Sequence, residues 1–152
     1  MSPTGKLPGR ILALDVGERR VGVAVSDETQ TLARSLTVLH RRSKAKDFED
    51  LARLAREQEA RAIVVGLPLS LDGSEGPQAR RVRRYADALG EALAAQGLTV
   101  PLVFHDESMS TVTAAEVMIA SGRKRRHRRR QIDAVAAAVI LQNYLDTHSS
   151  KC

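Results

Sequence analysis

Apolar residues along this chain fall into two patterns: short, nearly unbroken runs, and longer stretches in which they recur at helical spacing. Ile11 to Val16 and Val21 to Ser26 are of the first kind, and the turn-forming Gly17-Glu18-Arg19-Arg20 between them predicts two strands joined tightly. Leu32 to Leu39 alternates in character and predicts a third strand, which completes a meander. From Lys46 to Gln58 the apolar positions Phe48, Leu51, Ala52 and Ala55 share one helical face, and Asp47, Glu49 and Asp50 suit the positive end of that helix. Ala62 to Gly66 is short, β-branched and wholly apolar, as a strand covered on both faces must be.

A polar loop from Leu67 to Gly76 follows, and Pro77 is placed to open a helix whose stripe is Val82, Tyr85, Ala86, Leu89 and Leu93, with Gly97 as its stop. Val100 to Phe104 predicts a fifth strand. Thr113-Ala114-Ala115-Glu116 fits a capping box for a helix ending at Ser121-Gly122, and a basic block separates that helix from a last one, Gln131 to Leu145. The order β-β-β-α-β-α-β-α-α specifies an α/β domain: a mixed five-stranded sheet with helices on both faces, whose functional groups gather at the carboxyl ends of the parallel strands. The expected domain spans 10–147, between a disordered tail at 1–9 and a short tail at 148–152.

Composition narrows the function classes. With 152 residues and 43% hydrophobic content the chain suits one domain with a real core. No apolar run approaches the roughly 20 residues needed to span a bilayer, and Met1 to Arg10 lacks the apolar centre of a secretory signal, so a cytoplasmic protein without a membrane partner is expected. The single cysteine, Cys152, excludes a Cys-based zinc cluster and an internal disulfide framework. Arg123 to Arg130 holds seven basic residues and no acid; against an overall charge of +6, the rest of the chain carries −1. Basicity gathered in one block points to an edge that meets nucleic-acid phosphates, the alternative being a solvated loop. At 3% aromatic content the chain lacks a base-stacking platform, so contact is expected with the backbone rather than the bases.

Three acids stand where apolar elements end. Asp15 closes the first strand on the face of Ile11 and Ala13, Glu107 lies just past the fifth strand, and Asp133 falls in the first turn of the last helix. Burying a carboxylate at such positions costs folding free energy unless a cation or hydrogen bonds compensate it. Taken singly, each acid has a structural explanation as a cap or turn residue. Together, without histidine or cysteine partners, they are the ligand set of hard divalent ions such as Mg²⁺ or Mn²⁺, which serve phosphoryl transfer. Asp27 ends the second strand at the opposite edge and suits a turn, and Asp106 suits a cap or a supporting contact. The four histidines lack metal-ligand spacing, and His105 suits a packed strand position. In the loop after the fourth strand, Gly66, Asp72, Gly73 and Ser74 are candidates to receive a substrate phosphate, or else form a structural turn; the Walker pattern is absent.

Leu14-Asp15-Val16-Gly17 with Arg20-Val21-Gly22-Val23-Ala24-Val25-Ser26-Asp27, Gly66-Leu67-Pro68 with Asp72-Gly73-Ser74, Asp106-Glu107 with Ser110-Thr111, and Ile132-Asp133-Ala134-Val135-Ala136-Ala137 together resemble, in order, the motifs of the YqgF/RuvX family. The resemblance covers nearly the whole chain. It implies a ribonuclease H-like fold related to the RuvC resolvases, a divalent-metal nuclease, and a role in maturing the 5′ end of pre-16S ribosomal RNA. By position it makes Asp15, Glu107 and Asp133 both the catalytic and the metal-binding residues, the trio that the residue reading selects. Two departures stand out. Ser108 occupies the place of the family's usual arginine after the Asp-Glu pair, and Arg129 and Arg130 stand where a lysine is common, keeping the charge but not the geometry.

The expected function is therefore a Mg²⁺- or Mn²⁺-dependent hydrolase of structured RNA, acting on ribosomal precursor particles as a monomer or homodimer. Arg20, Arg123, Lys124, Arg125, Arg126, Arg128, Arg129 and Arg130 are the expected nucleic-acid contacts. The alternatives are a Holliday junction resolvase acting on branched, four-way DNA, which favours a two-fold dimer, and a non-catalytic RNA-binding factor of ribosome assembly. An actin- or sugar-kinase-like ATPase would require a second domain, for which the chain is too short.

Overall fold

A computed structural model describes residues 9–70, 72–106 and 125–149, with the backbone alone for 125–134 and 149. Five strands, β1 (Ile11–Val16), β2 (Arg20–Ser26), β3 (Ala33–His40), β4 (Ala62–Leu67) and β5 (Leu102–Asp106), form one sheet in the order β3-β2-β1-β4-β5. β1, β2 and β3 pair antiparallel as the expected meander, while β4 joins β1 and β5 joins β4 in parallel. Helices α1 (Lys44–Glu57), α2 (Pro77–Ala95) and α3 (Arg125–Ser149) complete the described elements. No helix among these residues is long and apolar enough to cross a membrane.

The period-two alternation of the central strands divides the core in two. Leu12, Leu14, Val16, Val21, Val23, Ile63 and Val65 face α1 and α2, where they meet Phe48, Leu51, Tyr85, Leu89 and Leu93. On the other face Ile11, Ala13, Ala24 and Val64 meet Ala137, Ile140, Leu141 and Leu145 of α3. The small side chains on this second face let α3 lie close to the sheet. Gln142 adds a polar tie, accepting from the Ala33 N–H at 2.9 Å and donating to the Thr31 carbonyl at 2.9 Å.

Local chemistry explains the helix ends. Ser43 caps α1, its hydroxyl accepting from the Lys46 N–H at 3.2 Å, and Pro77 supplies the first position of α2. Gly97, at φ +80°, terminates α2 in a left-handed turn whose next residue, Leu98, donates back to the Leu93 carbonyl at 2.9 Å.

Two expected boundaries are corrected. β5 begins at Leu102 rather than Val100, because Pro101 has no N–H for the ladder, although its carbonyl accepts from Ile63 at 2.9 Å. The last helix begins at Arg125, within the basic block, rather than at Gln131. Arginine is a good helix former, and a run of charge without glycine or proline does not break a helix. Cationic residues at the helix start oppose the dipole only modestly. The helix expected after Thr113 lies outside the described residues.

Candidate active site at the carboxyl edge of the sheet

Because β1, β4 and β5 are parallel, their carboxyl ends reach one edge of the sheet. The β1–β2 turn and the end of β3 lie at the same edge, since Arg20 pairs with His40. Asp15 stands there, one residue beyond the last β1–β4 pair, Leu14 with Val65. It is half-buried, and alternation places it with Ile11 and Ala13 on the face covered by α3. Its cross-strand partner is Gly22. A carboxylate on a rigid strand, partly shielded from water and beside a residue without a side chain, fits a hard cation.

The turn that follows Asp15 is held closely. The Gly17 N–H donates to the Arg20 carbonyl at 2.8 Å, and a Cβ on Gly17 would lie 2.9 Å from that carbonyl oxygen. Arg20, an expected nucleic-acid contact, thus opens β2 directly beside the candidate site.

Of the other two acids, Glu107 lies outside the described residues, one position after β5 ends at Asp106. Asp133 belongs to α3 by its backbone, one helical turn before Ala137, which is fully buried on the sheet face that also bears Asp15. Among the described residues no cluster of three metal-ligating side chains occurs. In the basic block, Arg123 and Lys124 lie outside the described residues, while Arg125, Arg126, Arg128, Arg129 and Arg130 fall in the first turns of α3.

The remaining candidates have local roles. Asp27 organises its turn: one oxygen accepts from the N–H groups of Thr31 and Leu32 at 2.8 and 3.1 Å, the other from the Thr29 hydroxyl at 2.5 Å. Those bonds, the hydroxyl's foremost, hold its carboxyl down at about 2. His105 packs edge-on against Tyr144, with ring centroids 5.9 Å apart, and burial keeps it below the usual imidazole range. In the loop after β4, Asp72 accepts from the Ser74 N–H at 2.9 Å and its hydroxyl at 2.6 Å, and the Gly73 N–H donates to the Ser70 carbonyl at 2.8 Å. Three donors that a phosphate would need are therefore engaged within the loop. Gly66 pairs with His105 inside the sheet.

Arg41 and Asp47 escaped the sequence reading. Asp47 is only 2% exposed and accepts from the Arg42 N–H at 3.1 Å, with the Arg41 guanidinium 3.9 Å away. Arg41 also donates to the Gly17 carbonyl at 2.7 Å and lies 4.7 Å above the Tyr85 ring. It ties the β3–α1 connection to the turn beyond Asp15. Asp47 reads in sequence as one more acid at a helix start; only its burial distinguishes it.

Comparison with known proteins gives the family and the fold. A family model described as RuvX, Holliday junction resolvase, matches residues 9–147. Proteins provisionally named pre-16S rRNA nuclease are similar throughout: one from Thermoanaerobacter pseudethanolicus is 41% identical over 143 residues, covering 93% of this chain and 99% of its own length. Another, from an Anaeromyxobacter species, is 44% identical over 137 residues, covering 90% and 96%. In fold, the chain resembles Thermus thermophilus RuvC in complex with a Holliday junction substrate, with a TM-score of 0.57 at 16% identity, covering 93% of this chain and 96% of that one. It likewise resembles the fowlpox virus resolvase bound to Holliday junction DNA, with a TM-score of 0.56 at 10% identity, covering 91% and 98%.

Proposed function

The chain belongs to the RuvX family, with the fold of the RuvC-like nucleases, and from that membership we propose that it is a divalent-metal-dependent hydrolase of phosphodiester bonds in structured RNA, processing the 5′ end of pre-16S rRNA. The observation that carries this reading is the position of Asp15, half-buried at the carboxyl edge of β1 on the face that α3 covers. The helix that packs there through Ala137 and Leu141 also carries Asp133 one turn earlier. His105 of β5 lies against Tyr144 of α3, and Glu107 comes two positions later in the chain, outside the described residues. The placements of Asp15 and of the α3 backbone at Asp133 support a site at this edge; with Glu107, the acid that the family motif supplies, they would hold Mg²⁺ or Mn²⁺.

Such ions, when bound, supply an activated water and stabilise the departing oxygen. The protein's own contribution is orientation. β1 fixes the Asp15 carboxylate on a rigid, paired strand, and the Gly17 turn positions Arg20 beside it. The arginines from Arg123 to Arg130 offset the charge of substrate phosphates.

The deciding experiment incubates wild-type protein and Asp15→Asn with a precursor rRNA fragment and, separately, a synthetic four-way DNA junction, in Mn²⁺, Mg²⁺ or chelator. The wild type cuts the RNA in either metal and not in chelator. Asp15→Asn retains RNA binding and loses cleavage by more than the roughly 10–100-fold that removal of a ligand's supporting partner costs. Cleavage of the junction alone transfers the reading to a resolvase. Binding by the wild type without cleavage of either substrate leaves an assembly factor.

A further inference from the structure

A concavity opens at the same edge, on the opposite side of the sheet from Asp15. It has a volume of about 180 Å³ and lies between the β1–β2 turn, the β3–α1 connection and the first turns of α2. Four cations line it, Arg41, Lys44, Arg81 and Arg84, against one acid, Glu18. We propose that this pocket holds a backbone phosphate of the RNA strand whose scissile bond lies at Asp15; the inference rests on the reading as an RNA nuclease and assigns that substrate a second anchor.

Charge is the first reason. Four like charges around one small cavity repel one another, and an anion among them reverses the sign of the interaction. The internal acid offsets little of this. Arg81 approaches Glu18 only to 3.8 Å, with both side chains at least half exposed, and such pairs are weak and readily exchanged. Among the described residues, neither Lys44 nor Arg84 has a salt-bridge partner, so both are available to a ligand.

Preorganisation is the second. Arg41 is held by the Gly17 carbonyl, the Asp47 carboxylate and the Tyr85 ring, so little side-chain freedom remains to be lost when a phosphate arrives. Lys44 is the first residue of α1, just past its Ser43 cap, and Arg81 and Arg84 lie three apart on α2, hence on one helical face. Two stretches of chain, 41–44 and 81–84, thus contribute charge to one cavity.

Position is the third. Val16 and Gly17 line the pocket, and Asp15 precedes them directly. Two residues of chain span roughly 7 Å at most, so the lip of the pocket lies close to the candidate metal site. Because Asp15 and Val16 point to opposite faces, a strand engaging both would cross the β1–β2 turn. Its scissile phosphate would lie on the α3 side and a neighbouring phosphate on the side of α1 and α2.

The test measures binding of a fluorescein-labelled RNA hairpin with a single-stranded extension, in EDTA so that no metal contributes, across a series of salt concentrations. Lys44→Gln/Arg84→Gln is compared with wild type, with the charge-preserving Lys44→Arg/Arg84→Lys, and with Arg53→Gln/Arg56→Gln, which removes the same charge from the far turns of α1. Circular dichroism confirms that each variant folds. The pocket variant is expected to raise Kd and to flatten the salt slope by about 0.7 for each phosphate that is no longer neutralised, while the charge-preserving variant restores the slope and the α1 variant leaves it unchanged. An unchanged slope in the pocket variant, or an equal loss in the α1 variant, overturns the pocket while leaving the nuclease reading intact. Failure of wild-type protein to bind the hairpin is a different result, which removes the RNA reading together with its anchor.

Discussion

Replacing Leu141 by alanine tests the link between the second core and the candidate site. Leu141 is 0% exposed and sits among Ile11, Ala13, Ala24, Val64 and Ile140. Buried Leu→Ala changes cost about 2.7–5 kcal/mol, the larger values where the cavity cannot collapse. Here the facing residues include Ala13 and Ala24 on paired central strands, too short and too firmly held to fill the void, so the expected loss is about 4 kcal/mol, toward the upper end. For a chain of this size that lowers Tm by roughly 8–16 °C. The comparison is Leu93→Ala, 1% exposed in the core of the opposite face, which is expected to lose a similar amount. Urea unfolding measures both losses. Cleavage by the folded fraction at low temperature then separates them, since only Leu141→Ala loosens the helix that carries Asp133. A stability loss below about 1 kcal/mol for Leu141→Ala, or equal cleavage deficits in the two variants, would refute the coupling of α3 packing to the site.

Four further outcomes follow from individual contacts. Gly17→Ala forces a Cβ against the Arg20 carbonyl and is expected to cost about 1–3 kcal/mol and to reduce cleavage beyond its stability effect, as thermal unfolding and activity on one preparation will show. Tyr85→Phe removes a buried hydroxyl that has no hydrogen-bond partner among the described residues, so urea unfolding should show a loss of less than about 0.5 kcal/mol or a small gain. In the wild type, burial foremost and the charge of Asp47 next push the Tyr85 phenol above its ordinary range, against the pull of Arg41, so ultraviolet titration should find it un-ionised until alkaline unfolding. Asp27, whose carboxyl is held at about 2 against an ordinary 3.8, stabilises the fold fully above pH 3.8, and that contribution disappears as pH falls through about 2. Asp27→Asn should accordingly be less stable at neutral pH and flatter in its acid unfolding profile between those values, as circular dichroism across that range will show.

Much of the architecture was legible because each element advertises its own periodicity. β1, β2 and β4 are short apolar runs bounded by glycine or polar turns, and the stripe from Val82 to Leu93 could only be one face of a helix. Asp15 was legible for the converse reason, a carboxylate placed where burial is costly. The boundaries that shifted did so where charge was taken for punctuation, at Arg125, and where a proline sat inside an apolar run, at Pro101.

By itself the amino-acid order indicated the five strands, the described helices and the family, and it nominated three acids whose oxygen ligands favour hard divalent ions. Those properties reside in local spacing and residue type, which survive without knowledge of what packs on what. Only the tertiary structure decided that α3 covers the Asp15 face, that Asp47 is buried against the Arg42 backbone, and that Arg41, Lys44, Arg81 and Arg84 border one cavity. Those four cations come from segments separated by up to forty-three positions of chain, and nothing in their local sequence distinguishes them from other surface arginines and lysines. Their convergence is a property of the sheet edge, created when parallel strands bring distant connections to one side.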